Sequence, residues 1–404
     1  MRVAFLTPEF VTEPNYAGGL ANYLFRTCLA LKHLGHNPSI FVRGEEDRTF
    51  FFRGIKIYRI RIETPAIIKI TDRLTCKRLS QPLSFISTAW AFSKKLKDEH
   101  KKMPFDIVQG TNYQSISLLI GRDIPKVVRI SSFEPLWRKA YKKPLTMGQK
   151  MIERMEILAL KRADGTFAPS RMLARQVENA LHVNVKVIQP PFMVETVNFD
   201  TSIYEHSLKD KKYLLFFGTI GLMKGCKSIA EIIETILLRN KNLFFVFVGK
   251  SVEHDGQSMI DHIKEKAGAA CDRVIYSGPL KHESLYPIIE NARAVILPSI
   301  IDNFPNTCLE AMSFGQIVVG TEGTSFEEII EDGKSGFLCL PNNPKSLLEK
   351  ASRALGLMEK ERNSISLNAK KRVSDLEPER AVQRLVEYYE SIIEARKEKI
   401  DGRP

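Results

Sequence analysis

The sequence predicts an α/β protein made of two Rossmann-like domains, each with a sheet between helical layers. Three observations carry that prediction. Strand-type and helix-type segments alternate along the chain, and the series runs twice. The strand segments are continuous apolar runs, the pattern of strands covered by helices on both faces. And 404 residues exceed one ordinary core, so two domains are expected.

In the first half, strands are expected at "RVAFLTP", "NPSIFVR", "DIVQG", "KVVRISS", "GTFAPS" and "VKVIQPP". Residues 20–34 have helical periodicity and a glycine stop in "LGH", and 83–97 and 148–162 are helical by the same pattern. The irregular text of residues 190–208, "PPFMVETVNFDTSIYEHSL", reads as the inter-domain linker. A second series follows: "KYLLFFG", "NLFFVFVG", "RVIYSG", "RAVILPS", "QIVVG" and "SGFLCL", again separated by helices. The domains are therefore expected at 1–195 and 196–377, with the helical segment 378–404 crossing back to the first.

The hydrophobic fraction of 44% and charged fraction of 26% are those of a soluble globular protein. No apolar run reaches the roughly 18–20 residues of a membrane span, and "MRVAFLTPEF" does not read as a signal peptide. Six scattered cysteines without a C-x-x-C pair read as reduced, mostly buried thiols of a cytoplasmic protein. Charge is placed unevenly: residues 1–200 hold 32 Lys and Arg against 18 Asp and Glu, and the remainder is nearly balanced. The basic half alternates cations with apolar residues in "IIKITDRLTCKRL", "WAFSKKLKDEHKK" and "WRKAYKKP". Such a half suits an anionic partner: lipid headgroups, a phosphorylated acceptor or nucleic acid. A solvated cationic face has the same composition.

Sheets of this kind gather ligands at the carboxyl ends of their strands. After the first strand, Gly18-Gly19 opens a helix, where backbone can approach a phosphate or sugar; a tight turn uses the same residues. The pair is not G-x-G-x-x-G, which disfavours a dinucleotide-dependent oxidoreductase. In "FFGTIGLMKGCKSI", Lys224 falls in a glycine-flanked turn before a helix, either to meet a diphosphate or to sit at a helix start on the surface. In "PSIIDNFPNTCLEA", Asp302 lies in a loop and Glu310 about one turn into a helix that begins near Thr307. Asn303 or Asn306 is the expected cap, with Pro305 in the first turn. An ordinary capped helix would use these residues too.

The order of these motifs, completed by "SGPL" and "LEAMSFGQIVVGTEGTSFEEII", resembles the GT-B glycosyltransferases. The closest resemblance is to the large retaining family with the signature Glu-x7-Glu (glycosyltransferase family four, glycosyl transferases group one). The match spans nearly the whole chain, and its second half is the more specific. The resemblance implies two domains facing a central cleft. It implies that Lys224 touches the donor's diphosphate, that Glu310 accepts hydrogen bonds from the ribose hydroxyls, and that Asp302 binds the transferred sugar. Amides around Phe304, Asn306, Thr307, Cys308 and Leu309 would approach the donor, Leu280 would line the base pocket, and Gly18 and Gly19 would face the donor from the other domain.

The residue types suit that chemistry. One carboxylate can accept both hydroxyls of a ribose diol, and lysine with a helix N-terminus can stabilise a departing diphosphate. No cluster with metal-ligand spacing and no Asp-x-Asp occurs, so transfer without metal or other cofactor is expected. The chain departs from the family pattern at four places. Asp302 stands for the usual Glu, Pro305 for a glycine and Thr219 for the Arg that commonly joins the lysine. "RISSFEP" lacks the histidine many members carry near the acceptor, leaving Ser131, Ser132 or Glu134 there. The expected protein is a cytoplasmic retaining glycosyltransferase, using a nucleotide sugar and a glycan or lipid-linked acceptor in surface polysaccharide assembly. A peripheral membrane contact through the basic half is expected, and no nucleic acid. The alternatives are a low-turnover sugar-nucleotide-binding protein and a GT-B epimerase of nucleotide sugars.

Overall fold

The computed structural model describes residues 1–14, 19–75, 77–133, 145–194, 198–400 and 402. It divides into two units, Met1–Pro191 with Leu376–Pro404, and Phe192–Asp375. The first unit holds β1 (Arg2–Thr7), β2 (Asn37–Gly44), β3 (Arg48–Phe52), β4 (Ile55–Arg61), β5 (Ile107–Thr111), β6 (Lys126–Arg129), β7 (Gly165–Ala168) and β8 (Lys186–Val187). They lie in the order β3-β4-β2-β1-β5-β6-β7-β8, parallel throughout except for the β3–β4 pair.

Side-chain alternation along β1 explains its unbroken apolar run. Val3 and Phe5 join one layer with Leu24 and Leu31 of the helix Gly19–His33, while Ala4 and Leu6 join the other with Phe92 and Leu96 of the helix Ser80–Lys102. The C-terminal helix Pro378–Ile400 completes the first layer through Val382, Leu385, Val386 and Tyr389, spaced along one helical face. Arg396 fixes its far end by an ion pair with Asp164 at 2.7 Å.

The second unit holds β9 (Lys212–Phe217), β10 (Leu243–Val248), β11 (Glu253–His254), β12 (Gln257–Ser258), β13 (Val274–Tyr276), β14 (Ala294–Ile296), β15 (Val318–Thr321) and β16 (Phe337–Cys339). Six of these form a parallel sheet in the order β13-β10-β9-β14-β15-β16, and β11 with β12 forms a separate antiparallel ribbon. Strand order reverses between β9 and β14: the chain leaves β9 towards β10 and returns to β14 on its other side. The loops at the carboxyl ends of these two neighbours lie where doubly wound sheets bind ligands.

Each strand expected from an apolar run is present. The β3–β4 hairpin is an addition. Its turn is Arg53-Gly54 with φ of 49° and 72°, a two-residue connection for which a glycine-bearing dipeptide is the signal. The helix expected at 83–97 extends over Ser80–Lys102, and a further helix, Ala66–Leu74, lies in the first basic segment. The helix after Asp302 differs from expectation in its cap. It spans Asn306–Ser313, and Pro305 is the N-cap, with no side-chain cap bond. Asn306 is already helical and Asn303 lies two residues ahead of the cap, so neither sits where a side chain reaches the first amides.

Candidate active site

Two loops define the candidate site, one after β9 and one after β14. The β9 loop runs through Gly218 and Thr219 into a single 3-10 turn, Leu222–Lys224. Gly225 then turns the chain with φ of 74° into the helix Cys226–Arg239. A Cβ at Gly225 would lie 1.8 Å from the Pro298 carbonyl oxygen, so only glycine lets the two loops approach this closely. The Ile300 amide donates to the Met223 carbonyl at 2.9 Å, and buried Ser325 donates to the Asp302 carbonyl at 2.6 Å. Between these ties Lys224 Nζ meets Asp302 Oδ2 at 2.5 Å. The carboxylate is largely enclosed, 12% exposed, while the lysine keeps 35%. A cation and an anion 78 positions apart in sequence thus meet between these two loops.

The helix Asn306–Ser313 begins at the rim. The amides of Cys308 and Leu309 already bond the Pro305 carbonyl, at 3.1 and 3.3 Å, which leaves Asn306 and Thr307 at the open end of the helix dipole. Thr307 is the nearest neighbour a Cβ on Gly218 would meet, at 3.6 Å, so the first glycine of the β9 loop lies against that helix start. Cys308 and Leu309 bury their side chains completely. Burial pushes the Cys308 thiol well up, and the Asp302 charge adds to the effect.

Glu310 is buried, and Nε2 of His282 stands 3.9 Å from its carboxylate. His282 opens the helix His282–Glu290 and stacks on Tyr286, ring centroids 5.1 Å apart and planes 8° apart; Phe314 packs against Tyr286, its ring centroid also 5.1 Å away. Leu280, half-buried, is in the loop just before that helix. Sequence reasoning passed over His282. Its only local signal is its place two residues beyond Leu280, at the carboxyl end of β13.

Thr219 is exposed and Phe304 half-buried within these loops. Lys224 and Asp302 are brought together, Glu310 gains His282, and Leu280 stays near that pair in sequence. In the first unit, Gly19 is exposed at the start of its helix, while Gly18 and Glu134 lie outside the described residues. Ser131 closes a network at the ends of β5 and β6: its hydroxyl meets Thr111 Oγ1 at 2.8 Å and accepts from Arg129 at 2.9 Å, and its amide donates to Asn112. Arg129 is buried over the Tyr23 ring, 4.0 Å from its centre, and burial lowers its pKa. Among the described residues no group of three or more His, Cys, Asp or Glu could hold a metal ion, and no helix is long and apolar enough to cross a membrane.

Comparison with known proteins agrees with this fold. Residues 17–195 match the model of Glycosyltransferase Family 4, and residues 199–372 that of Glycosyl transferases group 1. An uncharacterized glycosyltransferase of Methanocaldococcus jannaschii is 23% identical over 378 residues, covering 88% of this chain and 89% of that one. N,N'-diacetylbacillosaminyl-diphospho-undecaprenol alpha-1,3-N-acetylgalactosaminyltransferase of Campylobacter jejuni is 25% identical over 167 residues, covering 41% of this chain and 42% of the relative. Among solved structures, sucrose-phosphate synthase of Thermosynechococcus elongatus superposes with a TM-score of 0.75 at 16% identity, covering 98% of this chain and 99% of that one. HepE of Anabaena, solved with UDP and glucose, superposes with a TM-score of 0.69 at 14% identity, covering 97% of this chain and all of that one, 100%. The two family models take up the two halves in turn, the fold is shared end to end, and the chain belongs to the GT-B glycosyltransferases of family 4, group 1.

Proposed function

We propose that this glycosyltransferase moves a sugar from a nucleotide donor to a glycan or lipid-linked acceptor, with retention of configuration and without a metal. The Lys224–Asp302 pair carries the reading: it sets a cation for the diphosphate and an anion for the sugar hydroxyls in one contact, at the strand-order reversal. As the nucleoside diphosphate departs, charge grows on its leaving oxygen. Lys224 and the open amides of Asn306 and Thr307 stabilise that charge. Glu310 accepts hydrogen bonds from the ribose hydroxyls, with His282 at its side, and Leu280 lines the base pocket. The acceptor hydroxyl adds to the anomeric carbon on the face that the diphosphate leaves, and its proton passes to the leaving phosphate oxygen. No strong protein base is needed.

The favoured acceptor is a lipid-linked saccharide at the inner membrane face, in surface polysaccharide assembly. The cationic excess of residues 1–200 supports it, as does the diphospho-undecaprenol acceptor named for the Campylobacter relative. A screen of UDP, GDP, ADP and TDP sugars identifies the donor, and NMR of the product reads the anomer, expected to match the donor's and to form equally in chelator. Asp302→Asn should lower transfer by about 10²-fold or more, and Glu310→Gln should weaken nucleotide binding by roughly 1.5–3 kcal/mol. Wild-type kinetics in both variants, or an inverted product, would sink the assignment. Thr219, in place of the usual Arg, favours a second reading, a sugar-nucleotide binder with little turnover. Tight donor binding without transfer to any acceptor extract would select it.

A further inference from the structure

The helix Ala66–Leu74, "AIIKITDRL", buries none of its nine residues. Ile67, Ile70 and Leu74 recur at the spacing of one helical face and are 72%, 57% and 79% exposed. Three large aliphatic side chains in one exposed stripe are more than isolated surface apolar residues. Met147, 63% exposed, belongs to the same neighbourhood, because a Cβ on the adjacent Gly148 would lie 2.8 Å from the Arg78 carbonyl oxygen. Cations surround the stripe: Lys69 and Arg73 on the helix, Lys77 and Arg78 just beyond it, all exposed. The one acid of this segment, Asp72, accepts a hydrogen bond from Ser80 at 2.7 Å and so faces the following helix.

We propose that this helix is an interfacial anchor, lying along an anionic bilayer with Ile67, Ile70 and Leu74 among the upper acyl chains and its cations among the headgroups. An apolar stripe flanked by basic residues on a helix too short to span is the pattern of such anchors. Charge decides the occupant. A second copy would bring the same four cations face to face, whereas an anionic lipid surface neutralises them at roughly fivefold in affinity per residue. The inference rests on the reading of a membrane-borne acceptor, but its test needs neither donor nor acceptor.

The full-length protein is sedimented with phosphatidylcholine vesicles, with and without about a quarter phosphatidylglycerol. Binding is expected only with the anionic lipid and should weaken as salt screens it. The triple variant Ile67→Gln, Ile70→Gln, Leu74→Gln should bind at least about tenfold less, with its melting temperature and nucleotide binding unchanged. Neutralising Lys69, Arg73, Lys77 and Arg78 together should remove the salt dependence. Absent binding, or full binding by the triple variant, overturns the proposal. So does a dimer in solution that the triple variant dissociates, which would assign the stripe to a second copy. Transfer to a soluble acceptor analogue, measured alongside, reports the transferase reading separately.

Discussion

At the scale of single residues, Lys224 stands out because Asp302 holds it at 2.5 Å while part of its surface stays exposed. On the proposed reading its remaining donors turn to the diphosphate, with Thr219 where relatives supply a second cation. Lys224→Ala should then cost on the order of 3–4 kcal/mol in the transition state, or about 10²–10³ in kcat, since nothing else replaces the charge. Thr219→Arg should partly rescue that variant, and the double-mutant cycle reports whether both positions act on one phosphate. Normal turnover by Lys224→Ala, with no effect of Thr219→Arg in either background, would remove this loop from the diphosphate site. Lys224 and Asp302 could be singled out from sequence because each lies in a loop between an apolar strand and a helix, and Glu310 because it lies one turn into that helix; their roles came only from the family resemblance. Their partners could not be suggested. Lys224 finds Asp302 and Glu310 finds His282 only through the sheet, since nothing local in either segment encodes the other.

Among the elements, β6 contains a cost that the sequence hides. Lys126 sits in a strand buried on both sides, 4% exposed, its ammonium donating to the Ile120 carbonyl at 3.5 Å. Burial, opposed by the nearby Asp164 charge, lowers its pKa to about 8. A lysine whose folded pKa lies below its unfolded value of about 10.4 destabilises the fold while both states are charged. That penalty is complete below about pH 8 and fades towards about pH 10.5, as the unfolded chain also loses its proton. Lys126→Met should therefore raise the melting temperature at pH 7 by about 2–4 °C, and the gain should shrink through that window. An unchanged or lower melting temperature at pH 7, or a gain independent of pH, would contradict this account. From sequence the same residue reads only as the first letter of "KVVRISS", one more cation in a basic half.

For the molecule as a whole, the cysteines give a direct check on the cores. Cys28, Cys226, Cys308 and Cys339 are buried, and burial pushes their thiols up, to about 12 for Cys226 and about 11 for Cys339. Since the thiolate is the reactive form, these four should resist alkylation at pH 8 until the chain is unfolded, while half-buried Cys271 labels in the native state. Peptide mapping after timed labelling reads the order, and early modification of Cys28 or Cys308 would show that a core is open. By itself the sequence determined the repeated α/β series, the continuous strands and the uneven charge, because apolar periodicity and composition are local properties that each segment carries alone. Only the tertiary structure decided the strand order, and with it the reversal between β9 and β14 that sets Lys224 on Asp302. The exposure of the helix Ala66–Leu74 was settled at the same level. Which strands become neighbours, and which apolar face stays open, depends on contacts between distant segments that no single stretch of chain encodes.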